Sequence, residues 1–294
     1  MSDDCFENNG KVDFAGVGAG RSGTTWVARC LAEHPDVCMA RVKEANFFLT
    51  RYVSTRLPGK QLPFMMPRNG AGPGWMVAQF AHHKLGQLRG EFSPAYLSDP
   101  QTPHLMQQHN PAMKLIVCLR RPTDALYSVY FELSKYVALP TTFEAFLTAY
   151  PEFIEYARFV RHIERFLDYF PPTHIFFVIF EDIANKPMDL FKELCDFLDI
   201  RQDIQPPSLT AKVNQRRHVR SRKLRSLLHL ADGMLANANF TRNEWIRRLR
   251  QWNLKKAPFA PLSDTTRRSL DREFYEDNKA LARFIGRDLS AWEQ

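Results

Sequence analysis

The sequence predicts an α/β fold in which a mostly parallel sheet is flanked by helices, and three observations predict it. Val12 to Val17 is a short apolar run that ends in glycines and hands over to helical spacing. Leu115 to Leu119 is a second apolar run, Ile175 to Phe180 a third, and a helical pattern follows each. Strands alternating with helices bury a parallel sheet between helical layers. With 294 residues, 45% hydrophobic and 24% charged, the chain can close a sizeable core, and no repeat or linker divides it. Residues 1–294 therefore read as a single domain.

Each element has a local cause. The first strand is broken only by Asp13, as a buried strand allows. In Thr24 to Glu33, Trp26, Val27, Cys30 and Leu31 recur at helical spacing. His34-Pro35 stops that helix, because the residue before proline avoids helical backbone. Leu57 to Gly74 is rich in Pro, Gly and Met and reads as an irregular excursion over the surface. Lys114 leads into the second strand and Arg120-Arg121-Pro122 leads out of it. A helix from Thr123 puts Leu126, Val129, Tyr130 and Leu133 on one face. Phe153 to Phe170 is predicted as one amphipathic helix, carrying Ile154, Ala157, Val160, Ile163 and Leu167 and closed by Pro171-Pro172. Ile175 to Phe180 is apolar enough for a central strand, and Pro187 to Leu198 is a further helix.

Charge narrows the partner class without choosing it. Lys plus Arg number 40 against 32 Asp plus Glu, a net charge of +8. That balance favours an anionic partner: a nucleic acid, a membrane surface or a phosphorylated small molecule. Five cysteines (Cys5, Cys30, Cys38, Cys118, Cys195) are scattered without a CxxC pair, which argues against a metal site or a disulfide framework. A reducing, cytoplasmic compartment is expected. Met1 to Gly10 is polar and acidic, unlike a signal peptide. No stretch reaches the roughly 18 apolar residues of a spanning helix.

Chemistry concentrates in Gly16-Val17-Gly18-Ala19-Gly20-Arg21-Ser22-Gly23-Thr24-Thr25, where a strand passes into a helix. Glycines there let backbone N–H groups converge on an anion, and the helix N-terminus adds partial positive charge. Gly18, Gly20 and Gly23 satisfy the dinucleotide pattern GxGxxG, but no acidic residue ends a second strand about 20 residues on. Glu44 has the distance, yet it sits in Lys43-Glu44-Ala45-Asn46-Phe47-Phe48, which does not read as a strand end. Gly18 to Thr25 also frames the nucleoside-triphosphate pattern GxxxxGK[ST]. Thr24 occupies its lysine position, which removes the cation that reaches the β/γ-phosphates. A P-loop kinase or NTPase is therefore the weaker alternative. A nucleic-acid binder using the basic stretch Lys212 to Arg225 is weaker still, since no recognised motif accompanies it.

Arg21-Ser22-Gly23-Thr24-Thr25-Trp26 closely resembles the 5′-phosphosulfate-binding loop of the sulfotransferases that use 3′-phosphoadenosine 5′-phosphosulfate (PAPS), in particular their bacterial and heparan-type branch. The resemblance implies a P-loop-like three-layer fold and assigns Gly20, Arg21, Ser22, Gly23, Thr24, Thr25 and Trp26 to the donor's 5′ end. Leu119 to Tyr130 resembles the family's 3′-phosphate motif, with Arg120 at the strand end and Ser128 in the next helix. Arginine suits a phosphate because its fork makes two charge-assisted bonds. Arg121 stands where the family usually has Asp or Asn and adds positive charge. Residues 212–225 fall where the family closes a loop over the 3′-phosphate, with Arg216 and Arg217 as the contacts. Phe180-Glu181-Asp182-Ile183, Pro187 to Leu198 and Leu270 to Trp292 extend the resemblance over residues 11–292.

The implied reaction moves a sulfuryl group from PAPS to an acceptor hydroxyl or amine by in-line displacement, leaving 3′-phosphoadenosine 5′-phosphate (PAP), with no metal. Lys43 to Phe48 resembles the KE-x-x-FF segment of that branch. This makes Glu44 the general base, with Lys43 and Arg21 in the catalytic group. Asn46 stands where members often carry His. Glu91-Phe92-Ser93-Pro94-Ala95-Tyr96 resembles the acceptor-side segment E-K-[ST]-P-x-Y. Together the two segments assign Asn46, Glu91, Phe92, Ser93 and Tyr96 to the acceptor, with Phe92 replacing the Lys. His82, His83 and His104 are the reserve bases of a small-molecule branch. The acceptor is unidentified. Phe92 and the Leu57 to Trp75 excursion, with Phe64, Met65, Met66 and Trp75, favour a small or apolar one. No nucleic-acid partner is expected, and a homo-oligomer is left open.

Overall fold

Five parallel strands form the central sheet in the order β2-β3-β1-β4-β5. They are β1 Phe14–Gly18, β2 Val37–Met39, β3 Leu88–Phe92, β4 Lys114–Leu119 and β5 Ile175–Ile179. The computed structural model describes residues 10–51, 67–137, 139–210 and 262–293, with 218–219, 221, 224, 227–228, 248–249, 252 and 254–255. Helices follow the strands: α1 Thr24–Ala32, α2 Pro73–Gln79, α3 Thr102–His109, α4 Pro122–Ser134, α5 Phe143–Ala149, α6 Glu152–Tyr156 and α7 Phe159–Leu167. After β5 come α8 Phe180–Asn185, α9 Pro187–Leu198, α10 Asp264–Glu273 and α11 Tyr275–Ile285. His218–Val219 pairs antiparallel with Leu254–Lys255 apart from the main sheet.

The period of two along a strand sorts the layers. Leu115, Val117 and Leu119 of β4 point to a cluster with Met106 of α3, Ile163 and Phe166 of α7 and Leu281 of α11. Ile116 and Cys118 point to the opposite cluster, with Trp26 and Leu31 of α1 and Leu190, Phe191 and Leu194 of α9. A sheet apolar on both faces needs helices on both, and three layers result. A third cluster joins α4, α5, α6 and α10 around Phe143, Phe146, Phe153 and Phe274.

Two strand predictions differ from the structure only at their ends, since β1 runs through Gly18 and β4 begins at Lys114. The third, expected to be central, is the edge strand β5, its apolar content covered on both faces by helices. Three other differences have physical reasons. The helix predicted over Phe153 to Phe170 is two helices, with Arg158 between them in a non-helical conformation (φ −81°, ψ 73°). Its guanidinium bonds Glu155, Glu273 and Asp277, so ion pairs turn the chain while the apolar stripe continues. The excursion over Leu57 to Gly74 gives way at Pro73 to α2; residues 52–66 lie outside the described residues. β3 had no sequence signal, because Arg89 and Glu91 interrupt its apolar content.

The chain leaves β1 to one side for β2 and β3, and then crosses to the other side for β4 and β5. The direction reverses between β1 and β4, whose carboxyl ends stand side by side. In open parallel sheets such a reversal leaves a crevice where ligands bind. The loop Ala19 to Gly23 and the turn at Arg120 flank it.

Candidate active site

The loop after β1 meets the requirements of an anion cradle. Gly23 is left-handed (φ +100°), which glycine adopts without strain, and it delivers the chain into α1 with its first amides free of helical partners. Ser22 is fully buried, and its Oγ has no hydrogen-bond partner among the described residues. A buried, unsatisfied hydroxyl in a glycine loop at a helix N-terminus fits an anionic ligand, since burying it unbonded costs free energy.

Two motifs a hundred residues apart meet beside that cradle. Arg21 Nε donates to Ser128 Oγ at 3.0 Å, and its Nη1 stands 3.2 Å from Glu132 Oε2. Arg120 Nη1 donates to the Arg21 carbonyl at 3.3 Å, while its guanidinium lies 4.3 Å from the centre of the Phe180 ring. The crevice between β1 and β4 is thus bordered by two arginines. At the same loop, the Gly20 amide donates to Tyr156 Oη at 3.0 Å.

The segment after β2 brings a carboxylate to the same place. Lys43 Nζ donates to Thr25 Oγ1 at 2.8 Å and pairs with Glu44 at 3.5 Å, so the first turn of α1 anchors the base candidate. Glu44 and Asn46 are both left-handed (φ +59° and +52°). Backbone bonds hold this unusual turn: Glu44 N–H donates to Phe92 O at 3.1 Å and Asn46 N–H to Ser93 Oγ at 2.9 Å. Burial pushes the Glu44 carboxyl above its ordinary value; Lys43 opposes this, Glu132 adds to it, and Arg21 lowers it.

Behind the turn lies a polar network. Ser93 Oγ donates to Glu91 Oε2 at 2.7 Å, and Phe48 N–H donates to Tyr96 Oη at 3.2 Å. Burial pushes Glu91 up to about 7 despite its bonds from Tyr96 and Ser93. Glu91, Ser93, Tyr96 and the Asn46 side chain are all buried, and they support the turn from beneath. Phe92, on the opposite face of β3, is 2% exposed and lies over Gly16 in the core. Trp26 is likewise in the core, its Nε1 donating to Leu209 O at 3.2 Å.

The structure therefore gathers Gly20, Arg21, Ser22, Gly23, Thr24, Thr25, Lys43, Glu44, Arg120 and Ser128 around one crevice. It sets Trp26 and Phe92 into the packing. Arg121 turns away from the crevice and bonds Asp271 of α10 through Nε and Nη2, at 3.1 and 2.6 Å. Arg216, Arg217, Phe64, Met65 and Met66 lie outside the described residues. His82 stands 3.5 Å from Cys38 Sγ, His83 bonds the Gln87 carbonyl, and His104 packs on Tyr169. Two site residues escaped the sequence reading. Glu132 lies one helical turn beyond Ser128, a spacing that places both on one face and could have revealed it. Tyr156 had no sequence signal.

A parallel sheet, a glycine loop at its reversal point and two flanking arginines define a phosphate-loop protein for a ligand with anionic ends. The sulfotransferase domain model matches residues 13–248, and the chain belongs to the sulfotransferase family. Heparan sulfate glucosamine 3-O-sulfotransferase 6 of mouse (Mus musculus) and of human (Homo sapiens) are each 27% identical to it over 196 residues. That match covers 63% of this chain and 52% of theirs, so the chain spans about half the length of these curated relatives. A sulfotransferase crystal structure from Alicyclobacillus acidocaldarius has the same fold, with TM-score 0.72 and 22% identity over 97% of this chain and 99% of that one.

Proposed function

We propose that the chain transfers a sulfuryl group from PAPS to a hydroxyl or amine of an acceptor, releasing PAP. The Arg21–Ser128 bond carries this reading, because it joins a loop suited to the donor's 5′ end with a helix suited to its 3′-phosphate. Thr24 in place of a lysine weighs against a nucleoside triphosphate. In the proposed step Glu44 takes the acceptor proton while the acceptor oxygen or nitrogen bonds sulfur. The bond from sulfur to the 5′-phosphate oxygen breaks, and that phosphate leaves with the charge. Such transfers are catalysed chiefly by positioning and by stabilising charge on the leaving oxygen. Arg21, the buried Ser22 hydroxyl and the amides through Thr25 are the groups assigned to that charge. Arg120 and Ser128 are assigned to the 3′-phosphate, with Arg216 and Arg217 as additional partners.

Glu91, Ser93, Asn46 and Tyr96 serve the acceptor side by holding the turn that carries Glu44. The acceptor is proposed to be small or apolar. Phe47, three residues from Glu44, stacks parallel on Trp75 (6.4 Å, 5°), and Arg68 lies 5.4 Å from the same indole. A half-buried aromatic shelf of this kind favours a flat or apolar group. The whole chain is proposed as one sulfotransferase domain of the cytoplasm. The buried free thiols Cys30, Cys38, Cys118 and Cys195 support a reducing compartment, and no described helix is long and apolar enough to cross a membrane. Transfer of labelled sulfate from PAPS across phenols, sugars, lipids and peptides tests the reaction and finds the acceptor. Labelled transfer to none of them, with PAPS unbound, contradicts it.

A further inference from the structure

We propose, building on the sulfuryl-transfer reading, that Tyr156 is a catalytic residue whose phenol hydrogen bonds the leaving 5′-phosphate oxygen of the donor. Tyr156 ends α6, 136 positions from the loop it touches, and its hydroxyl oxygen accepts the Gly20 amide at 3.0 Å. A methyl group on Gly20 would stand 2.9 Å from that oxygen, so only glycine admits the hydroxyl this close. The ring does not sit on a loose support. Ala157 is buried, and Arg158 is bound by Glu155, Glu273 and Asp277, which fixes the end of α6 to α10 and α11.

The Gly20 amide occupies the oxygen, and the hydroxyl makes no second hydrogen bond among the described residues. Its hydrogen is therefore available to a ligand at the loop. Burial pushes the phenol above its ordinary value, and the Glu44 charge pushes it the same way. Tyr156 thus stays protonated at neutral pH as an uncharged donor.

A donor at that point meets a specific need. Negative charge gathers on the leaving oxygen as the sulfur–oxygen bond breaks, and a fixed donor aimed there stabilises the transition state more than the ground state. Arg21 commits Nε to Ser128 and Nη1 to Glu132, so part of its donor capacity faces α4 instead of the loop. Tyr156 supplies a further hydrogen bond at the loop itself. It gives up no proton, so the stoichiometry of the transfer is unchanged.

The test is Tyr156→Phe, read by the rate of PAP release from PAPS with 4-nitrophenol or water taking the sulfuryl group. The Kd for PAPS, in which that oxygen still bridges phosphorus and sulfur with little charge, is measured alongside by calorimetry without acceptor. The expected result is a fall in kcat of about 100-fold, the usual effect of deleting one such donor, with the Kd for PAPS within about threefold of the parent. A kcat within about threefold overturns the assignment. So does a loss of PAPS affinity as large as the loss of kcat, which marks a hydroxyl that only shapes the loop. Should Y156F fail to fold, 3-fluorotyrosine at position 156 keeps the bond to Gly20 and acidifies the phenol. A raised kcat at pH 7 then supports the role, and an unchanged or lowered one overturns it. A parent chain that neither binds PAP nor consumes PAPS overturns the sulfotransferase reading itself. A competent parent with an unaffected Y156F overturns only the role of Tyr156.

Discussion

Arg21 and Ser128, 107 positions apart, share a 3.0 Å hydrogen bond across the reversal point of the sheet. The loop after β1 and the helix after β4 are thereby one site, and Arg120 binds the Arg21 carbonyl from beneath. On the proposed reading, a donor with anions at both ends is gripped by both elements at once.

Arg120 is the cation at the end of β4, so Arg120→Ala removes a charge from the proposed donor site with no change at Glu44. A charge-assisted bond contributes about 1.5–3 kcal/mol, equivalent to roughly 10- to 100-fold in affinity. The expected outcome is a KM for PAPS raised at least tenfold with kcat changed much less. Steady-state kinetics with PAPS varied decides it, and an unchanged KM removes Arg120 from the donor site.

Glu44→Gln keeps the size and the left-handed turn but abolishes the proposed base. General-base removal costs about 10²–10⁴-fold in kcat, and PAP binding should persist. The pH profile follows from the raised carboxyl. Glu44 must be deprotonated to act, so the acidic limb of kcat lies above the ordinary carboxylate range, and activity rises with pH through it. Lys43→Met removes the neighbouring cation that lowers this value and should move the limb further toward neutral pH. A limb that stays in place argues against Glu44 as the titrating base.

Glu91 gives a stability prediction with a definite sign. Its folded value of about 7 exceeds the ordinary 4.5, so the folded state binds the proton more tightly. Stability is undiminished below about pH 4.5 and is lost as pH rises through 7, a penalty of about 3 kcal/mol when complete. Glu91→Gln is neutral and should be more stable than the parent at pH 8, with the difference shrinking at pH 5. Urea unfolding at the two pH values measures it, and a difference independent of pH contradicts the titration of Glu91.

Asp271→Ala leaves Arg121 without its bidentate partner and takes the acceptor from Thr123 Oγ1, 2.7 Å away. Both ends of this pair are nearly buried, at 12% and 9% exposure. Removing one partner of such a pair costs about 3 kcal/mol or more. Denaturant midpoints should fall, while the Kd for PAP should stay within a few-fold if Arg121 only clasps α10. A selective loss of PAP binding at unchanged stability would place Arg121 in the donor site.

The sequence made the local features readable and hid the distant ones. The strand, glycine loop and α1 follow from glycine conformation and apolar spacing over a few residues, and α9 matches its expected span, Pro187 to Leu198, at both ends. β3 was concealed because its buried Glu91 and its Arg89 imitate a surface segment. The turn at Arg158 depends on Glu273 and Asp277, more than a hundred positions away. Phe92 resembled an acceptor contact in its motif, yet the pleat of β3 aims it at Gly16 in the core. The sequence alone placed no tyrosine near Gly20, since only the packing of α6 brings Tyr156 there.

The most direct measurement is thermal unfolding of the full chain with PAP and, separately, with ATP and magnesium. Binding to the folded state stabilises it by about 2.7 kcal/mol at a hundredfold excess over Kd. A PAPS-dependent sulfotransferase predicts a Tm that rises with PAP concentration, and a rise that Arg120→Ala weakens. Stabilisation by ATP and magnesium with none by PAP would contradict the donor assignment.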